Sequence, residues 1–549
     1  MKRYCILDCY VDEPACFGVP PFVSPYPRYL YGALLTAGAA DEDIDYLTIE
    51  TLRSRRYELA TGYEMVFLIG GAVVPGKYLG HKIGTTPEIR DLVAANARRH
   101  FAIGGMVGHL LAGSAAPNLT PVKYDIEKFA FGWHRGEPRD ECRTYGELAR
   151  WAAEGAALCR RHPDFPRLIC EIETARGCPR LQHCSFCAEG LTHGVEFRDE
   201  GDILREVDAL IAAGISRFRL GRQADILQYK SSMADFRNGF PRPRVEPIRA
   251  LFGELRARRD AGLITTLNID NGNPGTIAAF PEESELILGE IVSALTPGDT
   301  LALGVESLDP GVIAKNNLKV DADTLVHVVR MVNEAGGGRV GGIPVLLPGV
   351  NLIHGLPGET AETFRINFEG LRRIMDEGLL LKRINIRSLL PFPGTVLYSR
   401  SFEPSPAIEK RYEYYKGRIR DEIDHAMLKA IYPAGTVLKD LFVMDRQFEY
   451  ALARPIASYA ITAKLHSPLE RGARTDAMVI GHRERSLSAL TLPVELNALP
   501  LKALELIPGI GRKRAQDIVL ARPFARGADI MDMLKDVPEG IRKELLRGA

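Results

Sequence analysis

Between residues 167 and 390, short apolar stretches alternate with segments of helical apolar spacing, and nothing else restricts the fold of this chain as tightly. The strand-like stretches are RLICEIETARG (167–177), RFRLGR (217–222), LITTLNID (263–270), TLALGVE (300–306), IPVLLPGVNLIHG (343–355) and LKRINIRSLL (381–390). Helical spacing fills the gaps at 202–214, 247–262, 282–295, 321–336 and 360–378, the first of these ending on Gly214, a natural C-cap. Strands joined by helical crossovers predict parallel pairing and a partial barrel. On such sheets, ligands bind outside the carboxyl ends of the strands.

The first of these strands runs into EIETARGCPRLQHCSFCAEG (171–190), which places Cys178, Cys184 and Cys187 within ten residues. The chain has nine cysteines, all within its first 187 residues. A zinc site wants a fourth ligand, for which His183 is the candidate. A [4Fe–4S] cluster held by three thiolates instead keeps one iron open to a small molecule. Three cysteines at the mouth of a parallel barrel favour the cluster.

Ahead of this region, YCILDCYV (4–11), YEMVFLIGG (63–71) and HFAIGGMVG (100–108) read as strands, with helices at 26–38 and 86–99. They predict a doubly wound, Rossmann-like sheet over residues 1–150. Two strands end in paired glycines, Gly70–Gly71 and Gly104–Gly105, where a backbone can approach a large ligand. Cys5 and Cys9 sit at even spacing in the first strand, the pattern of buried fillers. Past residue 400 the sequence is polar and helical (401–432), then reads as short strands with turns (433–495), a small β-module of TRAM or OB type. Residues 504–524, LELIPGIGRKRAQDIVLARPF, match the helix-hairpin-helix consensus, within a segment 496–549. That C-terminal segment is only weakly basic, with Arg512, Lys513 and Arg514 as its one tight cluster, so nucleic acid is a less favoured partner.

Composition adds exclusions. With 549 residues the chain is long for one core, and its net charge of zero draws it neither to nucleic acid nor to anionic membrane. MKRYCILDCYVDEP reaches Asp8 after four apolar residues, too soon for a signal peptide, and no apolar run approaches the roughly 18 to 20 residues of a membrane span. The expectation is a cytoplasmic protein with reduced thiols.

The chain resembles the radical S-adenosylmethionine (SAM) enzymes. Its cysteine loop is C-x5-C-x2-C rather than the commoner C-x3-C-x2-C, and Phe186 holds the usual aromatic place before the last cysteine. LALGVESLDPGVIAKNN (301–317), GLPGETAETF (355–364) and LLPFPGTVL (389–397) look like the later strand ends of the coproporphyrinogen-oxidase and methylthiotransferase branches. The resemblance implies an α/β multidomain chain with a partial (β/α)6 radical SAM barrel over 160–400, metal ligands Cys178, Cys184 and Cys187, and a low-potential electron donor. Positions matching SAM contacts are Arg219, Gln223, Asn268, Asp270, Glu306 and Ser307. The doubly wound domain resembles the cobalamin-binding domain of cobalamin-dependent members. It lacks their D-x-H-x-x-G histidine motif; His81, His100 and His109 have no such context.

The order of modules, with YVDEPACFGVPPFVSPYPRYLYGALL (11–36) and GGAVVPGKYLG (70–80), resembles an archaeal radical SAM group defined by a C-terminal helix-hairpin-helix. That group includes the methanogen enzyme methylating a glutamine α-carbon in methyl-coenzyme M reductase. The resemblance implies a C-methyltransferase that uses one SAM as a radical source, methylcobalamin as methyl donor and a second SAM for remethylation. A tRNA-modifying, methylthiotransferase-like enzyme is the alternative, a resemblance that implies a second cluster held by Cys5, Cys9 and Cys16.

Overall fold

The computed structural model describes residues 3–13, 16–71, 78, 80–114, 116–191, 193–398, 404–467, 469–524 and 527–548. Most of the stretch GGAVVPGKYLG (70–80), and Pro14 and Ala15 of the opening stretch, lie outside them. The chain forms two compact units, residues 1–296 with 389–401, and 297–388 with 402–549.

The first unit opens with a five-stranded, all-parallel sheet in the order Ile44–Thr48, Tyr4–Asp8, Met65–Ile69, Phe101–Gly104, Leu119–Pro121. Side chains alternate across it with period two. Cys5, Leu7, Val66 and Leu68 face one core with Ile89, Leu92 and Val107. Tyr4, Ile6, Phe67 and Ile69 face the other with Leu30, Leu34, Ile126 and Phe129. Helices thus cover both faces, as a doubly wound sheet requires. The sequence reading found the three central strands and missed both edges. Leu119–Pro121 is three residues ending in proline, which an edge strand tolerates, and carries too little periodicity to register.

The same unit holds a second parallel sheet, ordered Thr266–Ile269, Arg217–Gly221, Ile169–Glu173, Phe22–Val23. The last strand comes from the N-terminal region, pairing Phe22 with Ile169 and Val23 with Cys170. Helix Pro25–Ala37 follows it directly and crosses helix Tyr145–Glu154 at Gly32, where any side chain would overlap the Trp151 carbonyl. The N-terminal region and strands Ile169–Glu173, Arg217–Gly221 and Thr266–Ile269 therefore form one compact body. The expected boundary near 150–160 does not coincide with the division of the chain.

Buried charges join them. Arg28, on the N-terminal helix, and Arg198 both pair with Glu206 on helix Glu200–Ala212, all three without solvent exposure. Tyr29 adds a hydroxyl to the same carboxylate at 3.3 Å, and Arg28 also donates to the Glu171 carbonyl. Beside this, Arg143 bridges Glu127 at 2.6 Å and Glu173 at 2.8 Å, again without solvent. Burial raises the Glu173 carboxyl, but Arg143, Arg176 and Arg222 outweigh it and hold the group at about 2.

In the second unit, Asp299–Glu306, Leu346–His354 and Arg383–Ser388 lie side by side in parallel, with helices Ala322–Gly336 and Ala361–Asp376 between them in sequence. Helical residues Pro406–Ile431 follow, interrupted by a wider π turn at Ile419–Asp424. Five strands then close a barrel: Val437–Arg446, Ala451–Pro455, Thr462–Leu465, Arg474–His482 and Ser486–Leu492. The third and fifth pair in parallel and the other neighbours antiparallel. Helices Leu501–Glu505, Arg512–Leu520 and Glu539–Arg547 share one core with this barrel, Ala503, Ile518 and Ile541 packing with Met478, Ile480 and Leu490. Among the described residues no helix is long and apolar enough to cross a membrane.

Glu206→Ala strands two buried guanidinium groups, so we expect a loss of about 3–5 kcal/mol in chemical denaturation at pH 7. For Glu173 the folded group titrates near 2 against an ordinary 4.5. Its stabilisation is complete above pH 4.5 and vanishes as pH falls through about 2. Glu173→Gln is expected to cost about 3 kcal/mol at pH 7, a deficit that narrows on acidification; a pH-independent deficit is the contrary result.

Candidate active site

The cysteine loop is pinned where it begins and ends. Strand Ile169–Glu173 is followed by Ala175–Arg176, which pairs antiparallel with Glu196–Phe197. Gly177 turns the chain at φ 74°, and a Cβ there would come within 2.6 Å of the Gly194 carbonyl. Arg176 is buried and locks this neck, donating to the Arg143 carbonyl, Asp125 and Glu196, each at 2.7 Å. From the other side, Arg222 donates to Glu189 at 2.8 Å, two residues past the last cysteine, and to the Tyr26 hydroxyl at 2.7 Å. Tyr26 in turn meets Glu13 at 3.3 Å. Leu397, in the returning segment 389–398, donates its amide to the Ser185 carbonyl at 3.3 Å.

On this frame Cys178, Cys184 and Cys187 are all partly exposed. The Cys187 amide donates to the Cys184 carbonyl at 3.2 Å, and Arg180 reaches the Cys184 sulfur at 3.1 Å. Burial, with the nearby Cys184 and Cys178 thiols, pushes Cys187 up to about 12, so a metal must displace its proton. Three thiols supplied by one short loop suit a [4Fe–4S] cluster that keeps one iron open to a small molecule. His183, the candidate fourth ligand, sits against the loop backbone. Its Nε2 lies 3.1 Å from the Cys178 carbonyl, and its ring covers Gly190, which makes it a brace of the loop. Phe186 is half-buried between the last two cysteines.

The second sheet of the unit brings several anticipated residues to the same carboxyl edge. Gln223 accepts from Thr174, just after the first strand, at 3.3 Å and donates to the Leu220 carbonyl at 3.1 Å. Asn268 is fully buried with its amide on the Leu267 carbonyl. Arg219 and Asp270 are turned into the interior, where Arg219 pairs with both Glu171 and Asp270 and stacks 4.2 Å from the Phe17 ring. Their partners in this structure are protein groups, because three charges on adjacent strands satisfy one another once buried. In the second unit Glu306 ends its strand at φ 69°, unusual for a side chain of this type, and meets Lys319 at 3.6 Å. Ser307 is buried against Asn367 at 3.4 Å.

The paired glycines have internal reasons to be glycine. A Cβ on Gly105 would come within 2.6 Å of the Gly70 carbonyl, one on Gly104 within 2.6 Å of Ile126, and one on Gly71 within 2.8 Å of Val11. The strand ends close upon each other, and these residues carry no independent argument for a corrin. His81 is held by Glu50 at 2.7 Å and His100 is exposed; His109 lies just past the strand end, edge-on to Phe392 at 5.8 Å between ring centres. Cys5 and Cys9 lie in one core of the first sheet and Cys16 in the other, so the three do not converge on a second cluster.

Sequence reasoning missed Arg222, Glu189, Tyr26 and Glu13. Arg222 stands beside the anticipated Gln223 but adopts φ 54°, which no periodicity announces. Its partners come from segments about 33 and 196 residues away, a separation only the tertiary fold closes.

No protein-family model matches the chain. Among solved structures it is similar to the radical SAM methyltransferase TsrM of Kitasatospora setae, solved with cobalamin and a [4Fe–4S] cluster, at 15% identity, TM-score 0.48, over 72% of this chain and 74% of that one. It is also similar to OxsB, a cobalamin-dependent SAM radical enzyme, at 13% identity and TM-score 0.44, over 76% and 55%. In sequence it is 38% identical over 532 residues to an uncharacterized protein of Archaeoglobus fulgidus, covering 96% of each. It is 37% identical over 517 residues to an uncharacterized protein of Methanocaldococcus jannaschii, covering 88% of this chain and 92% of that one. The chain belongs to the family of these two archaeal proteins.

Proposed function

We propose that this protein is a cobalamin-dependent radical SAM C-methyltransferase acting on an unactivated carbon of a protein residue. The observation that carries the reading is the cysteine loop: three partly exposed thiols within ten residues, at the carboxyl edge of a parallel sheet. The doubly wound sheet packed into the same compact unit supports cobalamin as the second cofactor, although no residue is assigned to the corrin. The family resemblance supplies the finer target, the α-carbon of a glutamine in methyl-coenzyme M reductase.

A cluster bound at this loop, with SAM, supplies one-electron chemistry, and cobalamin supplies methyl transfer. The chain's own residues provide the frame. Cys178, Cys184 and Cys187 give up thiol protons to hold the cluster, and the Arg180 guanidinium stabilises the Cys184 thiolate. His183 holds the Cys178 carbonyl, while Arg176 and Arg222 fix the two limbs of the loop. Gln223, at a strand end in the same unit as the loop, is the polar group best suited to orient SAM.

One observation favours a second reading. Five strands closed with the third and fifth in parallel is an arrangement used by oligonucleotide-binding barrels, which supports a tRNA-modifying enzyme. A salt-sensitive gel shift with tRNA is its expected signature.

Anaerobic reconstitution with iron, sulfide and cobalamin distinguishes these. We expect about four irons per chain and one cobalamin, with 5′-deoxyadenosine formed from SAM under reduction. Cys178→Ala, Cys184→Ala or Cys187→Ala should remove the iron, and deoxyadenosine formation with it, while leaving cobalamin bound. Retained iron in these variants overturns the cluster assignment, and iron without cobalamin overturns the methyltransferase.

A further inference from the structure

Outside the cysteine loop, Asp125, Cys142 and His193 converge from three distant segments. One ligand atom from each lies within 4.8 Å of the others. Cys142 Sγ is 3.5 Å from His193 Nδ1, and Asp125 Oδ1 is 3.9 Å from His193 Nε2. Cys142 is exposed, and the other two are half-buried.

The Asp125 carboxylate is committed to this place. It precedes helix Ile126–His134 as the N-cap residue, yet its side chain does not cap that helix. Its Oδ2 instead accepts the Arg143 amide at 2.8 Å and Arg176 Nη1 at 2.7 Å. Those two donors occupy one oxygen and aim the other at His193, the kind of outer support that orients a metal-ligating carboxylate. Arg176 does not leave the site cationic, because Glu196 takes its other nitrogen at 2.7 Å.

We propose that Asp125, Cys142 and His193 bind a zinc-type divalent cation, with a fourth position open to solvent on the Cys142 side. One thiolate, one imidazole and one carboxylate is a donor set of intermediate softness, suited to zinc and its neighbours and unsuited to calcium or magnesium, which take oxygen. Tetrahedral zinc sets such donors roughly 3.3–3.8 Å apart, and the three ligand atoms here lie within 4.8 Å of one another. His193 lies on the limb by which the chain leaves the cysteine loop, and Asp125 follows the last strand of the N-terminal sheet. The ion would fasten that limb to the N-terminal module, a role separate from the cluster ligands.

The site can be read by titrating Co2+ into the full chain bearing Cys178→Ala, Cys184→Ala and Cys187→Ala, so that loop thiols contribute no signal. We expect about one tight Co2+ per chain with thiolate-to-cobalt absorption. Adding Cys142→Ser or His193→Gln should remove that absorption and weaken binding at least about tenfold. No Co2+ uptake, or uptake unchanged by Cys142→Ser, overturns the proposal. If the loop variant fails to fold, zinc content after dialysis of the cluster-loaded chain replaces it. There, about one zinc that is lost in Cys142→Ser supports the site, and equal zinc in both chains refutes it. Because neither readout depends on catalysis, the site and the methyltransferase reading stand or fall separately.

Discussion

Glu206 accepts two buried guanidinium groups on one carboxylate, and the first unit depends on that meeting. Arg28 arrives on the helix that follows strand Phe22–Val23, and Arg198 on the segment that follows the cysteine loop. Taking these charges from water is costly and is offset only while all three remain in register. The clamp therefore holds the doubly wound sheet and the second parallel sheet of the unit as one body. Arg143 extends the principle by joining Glu127 on the neighbouring helix to Glu173 at the end of the strand that launches the loop. Such networks are demanding rather than generous in energy, and what they confer here is a fixed geometry between segments far apart in sequence.

That fixed geometry is what a three-thiol loop needs. A nineteen-residue excursion with partly exposed cysteines would sample many arrangements if tethered only at its ends. Here a two-residue antiparallel ribbon, a left-handed glycine and buried Arg176 close the neck, while Arg222 holds the far limb through Glu189. The ordering entropy is met in the folded chain rather than when a cofactor arrives, which favours tight and directed binding.

The site was unevenly legible beforehand. Cys178, Cys184 and Cys187 announce themselves because metal ligation by one short segment is written in local spacing. The central strands were equally plain, being buried on both faces and so continuously apolar. Short edge strands such as Leu119–Pro121 were not, since three residues carry no period. Arg219 and Asp270 were anticipated as ligand contacts, but adjacent strands bring them to each other and to Glu171. The paired glycines were anticipated for a ligand's approach, whereas packing of one strand end on the next already accounts for them.

What the sequence by itself determined is what lies within a few residues of itself: the alternation of strand and helix, the helical faces and the three cysteines of one loop. Each follows from periodicity or spacing that the backbone reads locally. The tertiary structure decided which charges neutralise which, that Phe22–Val23 joins a sheet whose other strands begin more than 140 residues later, and that Asp125, Cys142 and His193 share one place. Those facts depend on contacts between remote segments, whose pairing is selected by packing and burial of the whole chain and leaves no local trace.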